Sequence, residues 1–215
     1  MTRHFGIADL PETLSVFPLP EALLLPRGRL PLNIFEPRYL AMFDDALKTP
    51  HRLIGMVQPA DNTRPPLLRS VGCAGRIVSF SETEDGRYLV VLAGICRFAP
   101  VEELDGFTPY RRVRADWSRW GHDLGKRDID EGFDRPAFLA LLKRYFAAAG
   151  LSTDWDSLKE ADEEMLVNSL AMLCPFSAEE KQALLEADRL KDRRASLAAL
   201  MEFAVASQGE DGPLQ

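Results

Sequence analysis

Apolar and polar positions change their period partway along the chain, from short strand-like runs to helical spacing. In the first 116 residues the apolar runs are brief. Leu14-Ser-Val-Phe17 and Arg29-Leu-Pro-Leu-Asn-Ile34 are interrupted or flanked by Pro18, Pro20, Pro26 and Pro31. Proline donates nothing to a ladder, so these strands are short or lie at sheet edges. Residues 51–58 form a better strand, ending before a proline-rich loop at 59–66. Residues 75–82 and 87–93 flank Asp85-Gly86, a dipeptide suited to a two-residue hairpin turn with positive φ at both central positions. Gly94-Ile-Cys-Arg-Phe98 continues the second strand, with Gly94 marking a bulge or bend. Residues 110–116 complete a set of about six strands, and such Gly/Pro punctuation predicts a closed or nearly closed sheet.

One helix interrupts this β-rich part, over residues 36–47. Pro37 fits the first helical position, Glu36 the positive end of the helix dipole, and Phe35 with Leu40 the two positions of a hydrophobic staple. Residues 118–132 have loop composition and mark an internal boundary. The expected division is a β-rich part over 1–117, a linker over 118–132, a helical part over 133–206 and a flexible tail over 207–215. Phe138, Leu141, Leu142, Tyr145, Phe146 and Ala149 share one helix face, and Gly150 ends that helix. A second helix spans about 162–173 and is stopped by Pro175. Ser177-Ala-Glu-Glu180 fits a capping box for a third. Leu190, Leu197, Leu200, Met201 and Ala204 supply the apolar face of the last.

With 46% hydrophobic and 27% charged residues in 215, the composition is globular and excludes a wholly disordered chain. No run of 18 apolar residues occurs, so no membrane span or membrane partner is expected. The first ten residues lack the apolar core of a secretion signal and include Asp9, which points to the cytoplasm. Residues 1–120 carry 15 Lys+Arg against 14 Asp+Glu, and residues 121–215 carry 11 against 19, giving the net charge of −7. That acidity argues against general nucleic-acid binding.

Candidate chemistry is sparse. Cys73, Cys96 and Cys174 are far apart and suit reduced, buried thiols. His4, His51 and His122 are scattered, and without local ligand pairs no metal site is expected. Gly121-His-Asp-Leu-Gly-Lys126 resembles a phosphate-binding loop but is one residue short, and Arg127 stands where Ser or Thr is required. No cofactor is expected. There is no G-x-S-x-G elbow and no H-E-x-x-H. Glu36 and Arg38 are candidates for binding or catalysis, although capping a helix and bridging it to the sheet explains them as well. Glu82, Glu84 and Asp85 form an acidic hairpin tip that solubility alone accounts for. Arg111, Arg112 and Arg114 with Trp117 and Trp120 could bind phosphate and stack on bases. Strand alternation points Arg112 and Arg114 away from Arg111, which favours plain exposed arginines, with the two tryptophans covering the join between the halves.

Phe17-Pro-Leu-Pro20, Leu25-Pro-Arg-Gly28 and Leu30-Pro-Leu-Asn-Ile-Phe-Glu-Pro-Arg-Tyr39 resemble the opening of the Lon protease amino-terminal domain. Val71-Gly-Cys-Ala-Gly-Arg-Ile77, Asp85–Phe98, Lys181-Gln-Ala-Leu-Leu-Glu186 and Asp192-Arg-Arg-Ala-Ser-Leu197 follow in the order of that family, so the resemblance covers about residues 14–206. It implies an α+β fold: a PUA-like pseudo-barrel of about six strands with one inserted helix, then a bundle of about four helices. The motif residues Phe35, Glu36, Pro37, Arg38, Tyr39, Gly94, Arg97, Lys181 and Gln182 are expected to be structural.

The resemblance does not imply proteolysis by this sequence, which holds neither the family's ATPase phosphate-binding loop nor its Ser–Lys protease module. The implied role is non-catalytic binding of protein or unfolded-polypeptide clients, as an adaptor or regulator of proteolysis, with a separate Lon protease as a further candidate partner. Edge-like strands offer β-addition, and apolar surface between barrel and bundle offers side-chain contacts. Two other functions stay open: an RNA-binding PUA-like domain, and an enzyme with an unrecognised site in the cleft between barrel and bundle.

Overall fold

A computed structural model describes residues 6–210; His4 and the end of the expected tail, 211–215, lie outside them. The strands are β1 (Thr13–Pro18), β2 (Arg29–Ile34), β3 (Leu53–Pro59), β4 (Leu68–Glu82), β5 (Tyr88–Glu103) and β6 (Arg111–Asp116), with helix α1 (Pro37–Lys48) between β2 and β3. The sheet order is β2-β5-β4-β3-β1-β6, and β6 also pairs with β5. The ring β5-β4-β3-β1-β6 therefore closes on itself, and β2 stands outside it as an edge on β5. Among the described residues only β1 and β3 run parallel, and the segment between them supplies the crossover that a parallel pair needs. The fold is α+β, as the strand and helix periods predict.

Closure is possible because β5 is long enough to serve two partners. Its first half pairs with β2 and β4, and its end, from Ala99, pairs with β6. The register between β4 and β5 slips between Ala74 and Gly75, which bends both strands there. Gly94 sits at this bend for a steric reason. A Cβ on it would lie 2.0 Å from the Leu25 carbonyl oxygen. Leu14, Val16, Leu23, Leu24, Leu25, Phe43, Ile54, Cys73, Leu92, Cys96 and Phe98 fill the interior, and each large apolar side chain removed from water contributes about 1.5–3 kcal/mol.

Two local expectations are corrected. The β4–β5 turn is a three-residue loop, not a two-residue one: Thr83 and Arg87 bond across Glu84-Asp85-Gly86, and Gly86 is the loop's positive-φ residue, at +76°. The Thr83 hydroxyl donates to Asp85 Oδ1 and the Gly86 N–H to the Thr83 carbonyl, which builds a tight turn closed by a left-handed glycine. Phe35 does not act as a buried staple. It is 62% exposed, with the Arg87 guanidinium 5.8 Å from its ring centre.

The chain gathers into two compact units, the first holding the residues up to Arg127 plus Phe176–Leu185 and the second Asp128–Pro175 plus the residues from Glu186. The stretch 118–132, whose composition suggested a linker, begins with a 3-10 helix, Ser118–Leu124, lodged against β5. Helix α5 (Ala178–Glu186), read with the helical half, belongs to the barrel unit as far as Leu185. Its capping box is present: the Ser177 N–H donates to Glu180 Oε2 at 2.7 Å and the Glu180 N–H to Ser177 Oγ at 3.2 Å.

The second unit comprises α2 (Arg135–Ala148), α3 (Trp155–Glu160), α4 (Glu163–Leu173) and α6 (Leu190–Glu210), with α6 packed on α2 and α4. Asp134 and Asp162 cap α2 and α4 by accepting from the Ala137 and Met165 N–H groups. Helix α3 was not foreseen. It is a six-residue helix whose end has a dedicated partner: Arg135 Nη2 donates to the carbonyls of Leu158 and Lys159 at 2.8 Å each and to that of Ala161, just past the helix, at 2.5 Å. Residues 207–210, expected in the tail, continue α6.

Candidate functional site

The first unit holds a groove of about 240 Å³. One wall is Phe17-Pro18-Leu19-Pro20, the end of β1 and its exit; the other is Leu32-Asn33-Ile34-Phe35-Glu36 with Tyr39, the end of β2 and the start of α1. Prolines keep the first wall irregular, and Leu19 is pinned by its N–H donating to the Val57 carbonyl at 3.1 Å. The second wall turns because Pro37 opens α1 and Glu36 stays extended before it, at φ −72° and ψ 131°.

The floor is aromatic. Phe17 and Tyr39 rings lie 4.1 Å apart at 33°, and the Arg38 guanidinium sits 5.7 Å from the Tyr39 ring centre. Burial first, and then the Glu36 charge, push the Tyr39 phenol above its ordinary range, so it stays neutral. Glu36 caps α1 with its backbone only; its carboxylate pairs with Arg38 at 3.2 Å. Helix α1 is anchored from behind by two tyrosines. Tyr88 donates to Asp44 at 3.0 Å and Tyr110 to Asp45 at 2.8 Å.

This arrangement suits binding better than catalysis. Its titratable wall and floor groups are an ion-paired carboxylate and a phenol held protonated, with no nucleophile beside a base. Its surface is aliphatic and aromatic with a few polar groups, the usual make-up of a site for an apolar side chain.

The other motif residues hold the unit together. Arg97 is 1% exposed. Its Nε and Nη2 donate to Asp123 Oδ2 and Oδ1 at 2.9 and 2.8 Å, and its Nη1 to the Leu185 carbonyl on α5 at 3.1 Å. His122 Nε2 lies 3.1 Å from Arg97 Nη2. On α5, Gln182 donates to the Val71 carbonyl at 3.2 Å and Lys181 to the Glu21 carbonyl at 3.0 Å. Thus Phe35, Glu36, Pro37, Arg38 and Tyr39 gather at the groove or its rim, whereas Gly94, Arg97, Lys181 and Gln182 lie in the framework.

Asp123 was missed in the sequence. A charged residue inside the apolar run Gly94-Ile-Cys-Arg-Phe98 demands a buried acid, but nothing local says which one. The stretch that imitates a phosphate loop is used otherwise. Arg27 Nη2 collects the carbonyls of Asp123, Gly125 and Lys126 at 3.1, 3.1 and 3.2 Å, so these oxygens meet a cation.

The arginine cluster on β6 is largely engaged. Arg111 meets Glu103 at 2.6 Å, Arg114 meets Glu102 at 2.8 Å, and Arg112 donates to the Asp105 carbonyl. Trp117 and Trp120 are buried, at 7% and 2% exposure, and so are unavailable for stacking on bases. The three cysteines are buried and none is in a disulfide, and burial pushes the Cys96 thiol up to about 12.

Comparison with known proteins agrees with this fold. Residues 13–202 match the family model described as the ATP-dependent protease La (LON) substrate-binding domain. Lon protease 2 of Thermus thermophilus is 28% identical over 92% of this chain, and the Lon protease of Dictyoglomus thermophilum 25% identical over 86%. Lon protease 2 of Myxococcus xanthus is 30% identical over 50%. The matched stretches span only 25%, 24% and 13% of those three proteins. Among solved structures, a Lon N-terminal domain protein from Xanthomonas campestris superposes with a TM-score of 0.61 at 24% identity, covering 87% of this chain and 97% of that one. The N-terminal domain of the Mycobacterium avium complex Lon protease gives 0.60 at 16% identity, covering 88% and 98%. On the extent of the family match and the shared fold, the chain belongs to the Lon substrate-binding domain family.

Proposed function

We propose that this chain is a polypeptide-binding module with no catalytic step of its own, and that the groove between Phe17-Pro20 and Leu32-Tyr39 takes an apolar side chain of an unfolded client. The observation that carries this reading is a coincidence of two facts. The family match is to a substrate-binding domain, and the most family-specific run of the sequence, Ile34–Tyr39, builds one groove wall around an open aromatic floor. Phe35 at the rim is 62% exposed, so its ring is accessible to a client side chain seated in the groove.

The adaptor role follows from this reading. On it, unfolded segments captured in the groove pass to a protease, and a separate Lon protease is the candidate. RNA binding has little support, because the β6 arginines are engaged and the tryptophans buried. The test is fluorescence anisotropy with reduced, carboxymethylated lactalbumin and with its native form. The expected result is binding of the unfolded form alone, unaffected by ATP. Equal binding of both forms, or of neither, overturns the reading.

A further inference from the structure

Strand β2 has one strand neighbour among the described residues, β5, so one of its edges is open. The ladder fixes which backbone groups face that opening. The Gly94 N–H donates to the Gly28 carbonyl at 2.9 Å. From there the antiparallel register runs Leu30 with Leu92, Leu32 with Val90 and Ile34 with Tyr88. Bonded and non-bonded pairs alternate along such a ladder. Leu30, Leu32 and Ile34 therefore exchange bonds with β5, and the backbone groups of Arg29, Pro31 and Asn33 point outward. Pro31 falls on the outward set, where its missing N–H costs β5 nothing.

The open edge runs into the groove, since Leu32, Asn33 and Ile34 are both strand residues and groove wall. The backbone edge and the side-chain site are thus one continuous surface. At the other end of β2, Arg29 is exposed and has no ion-pair partner among the described residues.

We infer that an extended client segment adds to β2 as a further strand, bonding to the outward carbonyls of Arg29, Pro31 and Asn33 and to the N–H groups of Arg29 and Asn33, with one apolar side chain in the groove and an acidic residue beside Arg29. This rests on the polypeptide-binding reading and makes it specific. Only a polypeptide backbone supplies donors and acceptors at strand spacing, and an unpaired guanidinium at the end of the edge selects an acid there. Pro31 deletes one of the three outward donors, which keeps the edge from recruiting strands without limit.

The probe is a short labelled peptide of alternating leucine and threonine with a glutamate at each end. It is titrated alongside carboxymethylated lactalbumin, and single backbone N-methyl groups are then moved along it. Methylation should abolish binding at every second position and be tolerated between. Asn33→Pro, which extends the Pro31 pattern to the next outward site, should weaken binding by about tenfold or more relative to Asn33→Ala, which makes the same loss of groove wall but keeps the N–H. The Asn33 amide should gain hydrogen-exchange protection in the complex. If the peptide binds with no alternation in the methyl scan, strand addition is wrong while the binding reading stands. If neither the peptide nor the unfolded protein binds, both fall. The methyl scan uses the unaltered chain, so it decides the matter even should Asn33→Pro fail to fold.

Discussion

Arg97 and Asp123 form a two-pronged ion pair inside the barrel unit, with side chains 2% and 6% exposed and contacts of 2.9 and 2.8 Å. Asp123 Oδ2 also accepts the Arg97 backbone N–H at 3.0 Å, so one carboxylate serves both the strand and its side chain. The remaining guanidinium nitrogen reaches the Leu185 carbonyl. Three segments distant in sequence, β5, the 3-10 helix after β6, and α5, thus meet at one charge.

Removing half of that pair should cost far more than removing all of it. Asp123→Ala leaves a guanidinium buried without a counter-charge, a change that costs about 3–5 kcal/mol. The double variant Arg97→Met/Asp123→Leu carries no stranded charge and should be more stable than the single one. Urea unfolding monitored by tryptophan fluorescence measures both. A double variant less stable than Asp123→Ala would show that the bond to α5, and not the buried charge, dominates.

Gly94 offers a contrast between close approach and backbone conformation. A methyl group there meets the Leu25 carbonyl at 2.0 Å, and backbone cannot swing aside as a side chain can. Gly94→Ala should therefore destabilise by about 3 kcal/mol, the upper range for overpacking. At Gly86 the space is open but φ is +76°. Gly86→Ala should cost only about 1 kcal/mol of left-handed strain. Thermal melts of the two variants should differ clearly in midpoint.

Tyr110 and Asp45 tie α1 to the barrel and make stability depend on pH at both ends. Burial, and then the bond to Asp45, push the Tyr110 phenol from 10.0 up to about 12. A group whose pKa is raised on folding stabilises the fold while protonated. Its contribution is whole below about pH 10 and is lost as the pH climbs to about 12. Asp45 moves the other way, held below its ordinary 3.8 chiefly by the same hydrogen bond. Its contribution is present above that value and lost as the pH falls further. Tyr110→Phe should flatten the alkaline limb of the stability curve and raise the Asp45 carboxyl pKa toward 3.8. A carboxyl NMR titration that leaves Asp45 where it was would refute the link.

Much of this architecture is written in local pattern. The strand run Arg29–Ile34, the proline opening α1, the capping box at Ser177 and the helix face from Phe138 onward all declare themselves through neighbours a few residues away. What stayed hidden depends on partners far along the chain. Arg97 and Leu185 are 88 positions apart, and no periodicity in α5 says that it packs with the barrel unit. Helix α3 is too short to show a period, and its carbonyls are satisfied by Arg135 from another helix. The groove was half legible. Its walls lie in the segments Phe17–Pro20 and Ile34–Tyr39, which the resemblance picks out, but only the stacking of Phe17 on Tyr39 reveals that they face one floor. Phe35 misled for a physical reason: an apolar residue before a helix cap ordinarily packs inward, and here it is left out in solvent.

That exposure allows binding to be separated from folding. Phe35 is 62% exposed, whereas Phe17 is 6% exposed and stacked on Tyr39. Removing a side chain that water already covers forfeits little burial, so Phe35→Ala should change stability by less than about 0.5 kcal/mol. Removing the ring of Phe17 opens a cavity, and Phe17→Ala should cost about 3–5 kcal/mol. If the groove rim holds client side chains, Phe35→Ala should still weaken capture of carboxymethylated lactalbumin several-fold, because the apolar contact is made only in the complex. Anisotropy titrations at a temperature where both proteins are fully folded make the comparison. Undiminished affinity in Phe35→Ala would move the client contact away from this rim. A loss in Phe35→Ala with an unchanged melting curve would place it there, since no folding defect then remains to explain the weaker capture.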